Sequence, residues 1–199
     1  IKPIDVNHGK GNTTNISSRE QALKAFEAAK AFSRSVIVER FITGFDFRCL
    51  VINNKFICAA LRTPASVVGD GKHSIQWLID ETNKDPRRGF GHEKVLTQIT
   101  VDQFTQKMLD DAGITLDYVP KKGERVLLKP TANLSTGGTS SDVTDEVHPA
   151  NIFMFERISK IIGLDICGID VMATDLRTPV AENGGAILEV NAAPGFRMH

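Results

Sequence analysis

The sequence lacks an excess of charge of either sign, and it lacks long apolar runs. Its 24 basic and 24 acidic residues give a formal net charge of +0 at pH 7, so nothing in the composition favours nucleic acid or a membrane surface as a partner. No apolar stretch approaches the roughly 20 residues that cross a bilayer, and no signal peptide is visible. We therefore predict a globular protein that has neither nucleic acid nor a membrane as its partner.

Cysteine is scarce as well. Cys49, Cys58 and Cys167 lie in apolar, strand-like runs, and no two of them have the C-x-x-C spacing that is typical of metal and redox sites. Small buried thiols of this kind fit a protein kept in a reducing compartment. The cysteines therefore predict core packing in a cytoplasmic protein.

Several common catalytic motifs are also absent. The sequence contains no nucleophile elbow and no catalytic Cys/His signature. Its N-terminal glycine loop, residues 7–15 with the sequence NHGKGNTTN, has neither the Walker pattern nor the GxGxxG spacing. Such a loop can still turn backbone N–H groups and Lys10 toward an anion, or it can be an ordinary surface hairpin.

Two apolar segments near the C-terminus carry isolated polar residues. Glu189 and Asn191 are two positions apart in a strand-like run, which places both on one face. Asp170 interrupts the apolar run 166–172, and an unpaired buried carboxylate would cost several kcal/mol. Two interpretations follow: these three residues hold a cation such as Mg²⁺ through oxygen ligands, or the carboxylates pair with lysine or arginine in an ion-pair network.

The remaining pattern alternates strands and helices. Strands are predicted at 1–6, 35–41, 45–53, 55–62 and 125–130, and helices at 18–33, 74–83, 102–112 and 149–162. In the last helix the apolar residues expected in the core are Ile152, Phe155, Ile158, Ile161 and Ile162. Residues 66–72 are predicted to be a turn-rich loop and residues 176–185 a polar hairpin loop.

Charged and hydroxyl-rich stretches remain to be explained. Glu39, Asp46 and Arg48 interrupt apolar strands, as edge residues or ligand contacts do. Arg87 and Arg88 lie in a glycine-bearing loop that either binds an anionic substrate or is merely solvated. Residues 131–141 are too rich in glycine and hydroxyl groups for a regular element and could bind a carboxylate or a phosphate.

Taken together, IKP with NHGKG, VERFITGFDFR, NLSTGG, GIDV and EVNAAPGFRMH are similar to the ATP-grasp ligases. Within that family the chain resembles the amide-ligase part of the cyanophycin synthetases, which build multi-arginyl poly-aspartate. The resemblance rests on order and spacing: a carboxylate strand, then E-x-N on the neighbouring strand, then A-x-P-G. A glutathione-type ATP-grasp ligase and a non-catalytic nucleotide-binding relative are the alternatives.

The resemblance implies an α+β ATP-grasp fold with antiparallel and mixed sheets and flanking helices, truncated on the N-terminal side. Residues 1–40 would end a lid subdomain, and residues 41–199 would form the C-terminal lobe with an inserted substrate-binding segment at about 63–141. An N-terminal domain and a domain resembling Mur ligases would belong to the same polypeptide. We therefore expect the chain to be a fragment that is inactive by itself.

The resemblance also implies a role for each matching residue. ATP contacts are expected from Lys2, His8, Gly9, Lys10, Gly11, Glu39, Arg40, Phe41, Ile42 and Asp46. The Mg²⁺ ligands would be Asp170, Glu189 and Asn191. The acceptor carboxylate or acyl phosphate would be bound by Arg48, Asn133, Ser135, Gly137 and Gly138, and the catalytic residues would be His8, Arg48 and Arg197.

The implied reaction transfers the γ-phosphoryl group of ATP to the C-terminal carboxylate of the growing aspartate-arginine polymer, and the amine of aspartate then attacks the acyl phosphate. Positioning and charge neutralisation drive such a transfer, so no serine or cysteine nucleophile is required. The expected partners are ATP, Mg²⁺, aspartate and the polymer, and the expected assembly is a homo-oligomer. A poly-aspartate acceptor would need several cationic contacts.

Overall fold

The computed structural model describes residues 1–5, 11–91 and 93–197 of the chain. It divides into two units, Ile1–Thr43 and Gly44–His199. The N-terminal unit contains strand β1 (Lys2–Pro3), helix α1 (Arg19–Lys30) and strand β2 (Val36–Ile37). Strand β1 pairs antiparallel with β2, and both strands are shorter than the segments predicted at 1–6 and 35–41.

The larger unit contains nine strands and three helices within its described residues. In chain order these are β3 (Phe45–Ile52), β4 (Lys55–Thr63), β5 (Ser66–Val68), α2 (Ile75–Asn83), β6 (Arg88–Gly89), β7 (Leu96–Thr97), α3 (Gln103–Asp111), β8 (Arg125–Leu127), β9 (Thr139–Asp142), α4 (Pro149–Ile162), β10 (Ile166–Ala173) and β11 (Ala186–Asn191). Five of the strands form an antiparallel sheet in the order β11-β10-β3-β4-β9. Asn53 and Asn54, with φ angles of 49° and 59°, make the tight turn from β3 to β4.

One face of the five-stranded sheet is apolar. Alternate residues of its central strands are fully or almost fully buried there: Phe47, Cys49 and Val51 on β3, and Cys167, Ile169 and Val171 on β10. Helix α4 covers this face through Phe155, which is 0% exposed. The strands predicted at 45–53 and 166–172 are confirmed as β3 and β10. Their central residues are buried on both faces of the sheet.

Helix α4 has the predicted bounds but not the predicted core face. It begins after His148, whose Nδ1 accepts a hydrogen bond from the Ala150 N–H at 3.1 Å, and ends at the left-handed Gly163. Its fully buried residues are Asn151, Phe155 and Ser159. They are spaced four positions apart and form one buried stripe along the helix. The prediction that Ile161 and Ile162 are core residues is wrong, because they lie off this stripe and are 73% and 51% exposed.

The stripe of α4 tolerates polar residues because each is hydrogen-bonded. The Asn151 side chain donates to the Leu176 and Thr178 carbonyls at 3.0 and 2.8 Å and accepts from the Val180 N–H at 2.9 Å. Leu176 and Val180 are only 2% and 3% exposed. The stretch predicted as a polar hairpin loop is therefore partly buried against α4.

The segment predicted as an insertion at about 63–141, which we call the inserted segment, has a core of its own. Strand β5 pairs antiparallel with β8, and the buried residues between them and the two helices are Ala65, Val67, Ile75, Leu78, Ile79, Ile99, Leu109, Val126 and Leu128. The prediction of a turn-rich loop at 66–72 is wrong at its start, because Val67 is 2% exposed and pairs with Val126. Strands β6 and β7 form a separate parallel pair.

Within the described parts of the chain, no helix combines the length and the apolar character that crossing a bilayer requires.

Candidate active site

The face of the five-stranded sheet opposite helix α4 carries charged residues in neighbouring positions. Asp170 on β10 is the direct cross-strand partner of Arg48 on β3 and of Glu189 on β11. Asp46 on β3 is likewise the partner of Arg62 on β4. Cross-strand partners point to the same side of a sheet. Five residues from four strands therefore form what we call the charged face: Asp46, Arg48, Arg62, Asp170 and Glu189.

Asp170 is held by two arginines. Its side chain is 8% exposed, and its two carboxylate oxygens accept hydrogen bonds from Nε and Nη2 of Arg48, the latter at 3.1 Å. The Nη2 atom of Arg62 lies 3.0 Å from Asp170 Oδ2. The ion-pair network that the sequence left open is therefore present, and it compensates the buried carboxylate.

Arg62 links Asp170 to a second carboxylate. Its Nε and Nη2 atoms donate to Asp46 Oδ1 at 2.9 and 2.5 Å. Burial alone would lower the pKa of Arg62, but the carboxylates of Asp170 and Asp46 raise it above its usual value. Sequence reasoning missed Arg62, although a basic residue in an apolar strand was the same signal that drew attention to Arg48.

Glu189 and Asn191 lie at the exposed edge of the charged face. The Asn191 Nδ2 atom donates to Glu189 Oε1 at 3.1 Å and to the Gly168 carbonyl at 3.4 Å. Among the described residues, no hydrogen bond involves Glu189 Oε2 or Asn191 Oδ1. The A-x-P-G segment also approaches here, since a Cβ on Gly168 would lie 2.7 Å from Pro194 Cβ.

The donor set fits a hard divalent cation. Glu189 Oε2 is a carboxylate oxygen and Asn191 Oδ1 is an amide oxygen, both on the strand next to Asp170. Mg²⁺ prefers such oxygen ligands with open positions left for water and phosphate. No cluster of three or more His, Cys, Asp or Glu side chains suited to a metal occurs in the described part of the chain. A cation here would therefore depend on oxygens from outside the protein as well.

The NLSTGG loop, residues 133–138, has a constrained backbone. Residues Leu134–Thr136 form a single 3-10 turn, and the Asn133 carbonyl accepts from the N–H groups of Thr136 and Gly138 at 3.1 Å each. Gly138 has no room for a side chain, because a Cβ would lie 2.8 Å from the Asn133 and Thr63 carbonyl oxygens. The side chains of Asn133 and Ser135 are exposed and free to contact a ligand.

Arg197 is joined to the inserted segment. Its Nη1 atom donates to the carbonyls of Gly91 and Lys94 at 3.3 and 3.2 Å, and its Nη2 atom donates to Thr97 Oγ1 at 3.1 Å. The guanidinium therefore lies against the loop between β6 and β7.

The two arginines at the start of that loop differ. Arg88 is 6% exposed and donates to the carbonyls of Thr97 and Gly137, whereas Arg87 is exposed and paired with Asp85. Of the two arginines that the sequence proposed for anion binding, only the buried one reaches the NLSTGG loop.

The predicted nucleotide contacts of the N-terminal unit are partly described. His8, Gly9 and Lys10 lie outside the described residues. Gly11 has a φ of 71° and packs on the Phe32 ring, and Lys2 Nζ lies 2.8 Å from Glu39 Oε2.

The ATP contacts predicted at Arg40, Phe41 and Ile42 lie in irregular backbone after β2. Among the described residues, the main-chain N–H and C=O groups of Arg40, Phe41 and Ile42 make no hydrogen bond, and the Phe41 side chain is 49% exposed. Backbone groups without a partner in the protein are available to a ligand.

Comparison with known proteins identifies the relatives of this chain. It is 54% identical over 199 residues to the cyanophycin synthetase of Trichormus variabilis, covering 100% of this chain and 22% of that protein. It is 56% identical over 201 residues to the cyanophycin synthetase of Crocosphaera subtropica, covering 100% of this chain and 23% of that protein. The chain thus spans less than a quarter of the length of these relatives.

A second group of relatives is more distant. The chain is 35% identical over 204 residues to the glutathione biosynthesis bifunctional protein GshAB of Pasteurella multocida, covering 100% of this chain and 27% of that protein. The crystal structure of a bifunctional glutathione synthetase from Pasteurella multocida superimposes with a TM-score of 0.73 at 34% identity, over 100% of this chain and 27% of that one. No protein-family model matches. The predicted α+β ATP-grasp fold is confirmed by this structural match.

Proposed function

Because the whole chain has the ATP-grasp fold and is similar to one segment of the cyanophycin synthetases, we propose that it belongs to an ATP- and Mg²⁺-dependent carbon–nitrogen ligase. The full-length enzyme would add aspartate to the C-terminal end of the poly-aspartate backbone of cyanophycin. The observation that carries the proposal is the charged face, where Asp170, Glu189 and Arg48 are cross-strand neighbours.

The reaction has two steps. In the first, a carboxylate oxygen of the polymer attacks the γ-phosphorus of ATP, the bond to the β-phosphate oxygen breaks, and ADP leaves. In the second, the amine of aspartate attacks the carbonyl carbon of the acyl phosphate, inorganic phosphate leaves, and the amine loses a proton. Both steps require aligned reactants and neutralised phosphate charge more than a protein nucleophile.

The charged face would neutralise that charge at defined positions. Glu189 and Asn191 would hold Mg²⁺ through their unengaged oxygens, together with the Asp170 carboxylate. When bound, the ion supplies a Lewis acid that offsets the negative charge on the transferring phosphoryl group. Arg48 and Arg62 fix the Asp170 carboxylate from the buried side, so that its orientation is set before any ligand arrives.

Each unit carries residues suited to the nucleotide. In the N-terminal unit, the unpartnered backbone of Arg40, Phe41 and Ile42 suits the adenine edge, and Lys2 would contact the phosphates. In the larger unit, Asp46 would contact the ribose hydroxyls. The glycine loop, with His8, Gly9, Lys10 and Gly11, would cover the phosphates.

The acceptor would be bound by Arg48 and the NLSTGG loop. The exposed side chains of Asn133 and Ser135 are donors suited to a carboxylate or an acyl phosphate. The N–H groups of Gly137 and Gly138 donate to the Leu134 and Asn133 carbonyls, so these glycines would contribute by shaping the loop around the acceptor. Arg197 would lie near the transferred phosphoryl group. In the inserted segment, Lys72, Lys121 and Lys122 are exposed, and they suit an anionic polymer.

A glutathione-type ligase is the second candidate function, favoured by the TM-score of 0.73 to a bifunctional glutathione synthetase. The higher identity to cyanophycin synthetases, 54% against 35%, supports the first candidate.

The experiment compares acceptors in the full-length protein that carries this chain. ATP-dependent phosphate release is measured with a short aspartate-arginine primer plus aspartate, and separately with γ-glutamylcysteine plus glycine. We expect turnover with the primer only, and lengthening of the primer by one aspartate in its mass spectrum. Turnover with γ-glutamylcysteine only would move the protein to the glutathione-type ligases, and turnover with neither would contradict the ligase proposal.

A further inference from the structure

Two consecutive arginines of the inserted segment have different surroundings. The Arg87 side chain is 69% exposed and its Nη2 atom lies 2.7 Å from Asp85 Oδ2. Arg88 is only 6% exposed, and its Nη1 atom donates to the Thr97 carbonyl at 2.6 Å and to the Gly137 carbonyl at 3.0 Å. Gly137 belongs to the NLSTGG loop, so Arg88 is a direct link from strand β6 to that loop.

The surroundings of Arg88 are unusual for a structural arginine. Among the described residues, no carboxylate forms an ion pair with it. Burial lowers the pKa of Arg88, and the charge of Asp85 raises it in part. Among the described residues, the hydrogen-bond partners of Arg88 are backbone carbonyls. A buried cation without a directly paired carboxylate is expensive for folding, which points to a role other than stability.

Thr97 connects Arg88 with Arg197. Its carbonyl accepts from Arg88, while its hydroxyl accepts from Arg197 Nη2 at 3.1 Å and donates to the Gly91 carbonyl at 2.8 Å. A continuous set of hydrogen bonds therefore runs from Gly137 through Arg88 and Thr97 to Arg197.

The same segment also restricts Gly137 sterically. The residue has a left-handed φ of 93°, and a Cβ on it would lie 2.8 Å from Ile99 Cγ1 and 3.0 Å from Ile99 Cα. Arg88 thus donates a hydrogen bond to the Gly137 carbonyl, and Ile99 packs against the Cα atom of Gly137. These two contacts restrict the conformation of the NLSTGG loop.

We propose that Arg88 is a positioning residue for the acceptor: it fixes the NLSTGG loop against Thr97 and so sets the separation between that loop and the Arg197 guanidinium. The inference rests on the proposed function, in which this loop binds the acceptor. It assigns strands β6 and β7 a part in acceptor recognition, because a displacement of the loop by about 1 Å would misplace the acceptor carboxylate and weaken its productive binding by up to ~10²-fold.

The test uses the full-length protein with Arg88→Gln, Arg88→Lys and the control Arg125→Gln. Arg125 is an exposed arginine of the same segment whose Nη1 donates to Ser66 Oγ at 3.1 Å. For each variant, kcat, KM for the aspartate-arginine primer, KM for ATP and the thermal midpoint are measured. We expect Arg88→Gln to raise the primer KM by ~10-fold or more, to leave the ATP KM within about twofold, and Arg125→Gln to match the parent protein.

Arg88→Lys distinguishes an effect of the arginine's hydrogen-bond geometry from an effect of its charge alone. A flexible ammonium keeps the charge but not the planar fork, so Arg88→Lys should raise the primer KM less than Arg88→Gln does. If Arg88→Gln does not fold, Arg88→Lys decides: a raised primer KM with an unchanged ATP KM supports the proposal, and an unchanged primer KM overturns it.

Two further results would overturn the inference. One is a primer KM in Arg88→Gln equal to that of the parent protein. The other is a parallel rise of both KM values with a lower thermal midpoint, which is the signature of a purely structural residue. If the parent protein turns over γ-glutamylcysteine instead of the primer, the proposed function fails while the same comparison of KM values still tests Arg88 with that acceptor.

Discussion

The two faces of the five-stranded sheet come from the same strands but have different chemistry. On β3, Phe47, Cys49 and Val51 pack toward α4 on one face, whereas Asp46 and Arg48 point to the charged face. The apolar face is stabilised by many weak contacts, each of which can be altered at modest cost. In the buried part of the charged face, Arg48, Arg62 and Asp170 each depend on one or two partners, so the loss of a single partner leaves a buried charge uncompensated.

The largest expected effect is on activity, at the exposed edge of the charged face. In the full-length protein, Glu189→Gln should lower turnover on the order of 10²–10³-fold, as the loss of one electrostatic contact to a reacting group does. Because Glu189 is exposed, the free energy of unfolding should change by less than ~0.5 kcal/mol. The control Glu182→Gln changes an exposed glutamate outside the sheet and should leave turnover intact. Equal turnover in both variants would exclude Glu189 from the active site.

The next effect is on stability, in the buried part of the charged face. Arg62→Met removes the guanidinium that pairs with both Asp46 and Asp170. The variant should therefore lower the free energy of unfolding by ~3–5 kcal/mol. The control Arg177→Met removes an ion pair to Glu146 in which the two side chains are 68% and 46% exposed, and it should cost under ~1 kcal/mol. Urea unfolding of the two variants measures the difference, and similar values would contradict the assigned role of Arg62.

The apolar face should respond more mildly. Ile169→Val removes one methylene group at a position that is 0% exposed and should cost ~0.5–1.5 kcal/mol. The matched variant Ile161→Val, at a position 73% exposed, should be within ~0.5 kcal/mol of the parent chain. If Ile161→Val proved the more destabilising of the two in urea unfolding, the orientation of α4 would have to be revised.

The smallest effect lies outside the sheet, at the half-buried Asp85. Hydrogen bonds from Arg87 lower the pKa of Asp85 from 3.8 to about 2. A depressed carboxyl pKa in the folded state contributes stability that is present above pH 3.8 and is lost as the pH falls through about 2. The difference in thermal midpoint between the parent chain and Asp85→Asn should therefore shrink across that window. In Arg87→Gln, an NMR titration should find the Asp85 pKa moved back toward its usual value.

The contrast between the faces also explains what the sequence could predict. Short apolar runs interrupted by isolated polar residues located β3, β4, β10 and β11. The runs are nearly continuous in β3 and β10 because the centres of these strands are buried on both faces. The α4 stripe was misplaced at Ile161 because apolar residues surround the end of the helix, while the buried positions include Asn151 and Ser159. The buried face of α4 depends on hydrogen bonds from Asn151 and Ser159 to distant parts of the chain. No local sequence pattern encodes such contacts.

The charged face could be predicted only in part. Asp170 was recognised as a carboxylate that needs a partner, but Arg48 is 122 residues away in the sequence, and only the strand register brings the two together. Strand β5 was missed because Gly69 and Gly71 follow it closely and suggested a loop. The sequence also could not distinguish Arg88 from Arg87, because the two neighbours carry the same charge. Only the structure shows that Arg88 is buried and Arg87 is exposed.

The central claim is that the protein activates a carboxylate as an acyl phosphate, and trapping that intermediate tests it most directly. The full-length protein is incubated with ATP, Mg²⁺, primer and hydroxylamine but without aspartate. We predict a hydroxamate at the C-terminus of the primer together with an equal amount of ADP, and loss of both in Glu189→Gln. Formation of AMP in place of ADP, or no hydroxamate under conditions in which the primer is lengthened with aspartate, would contradict the account.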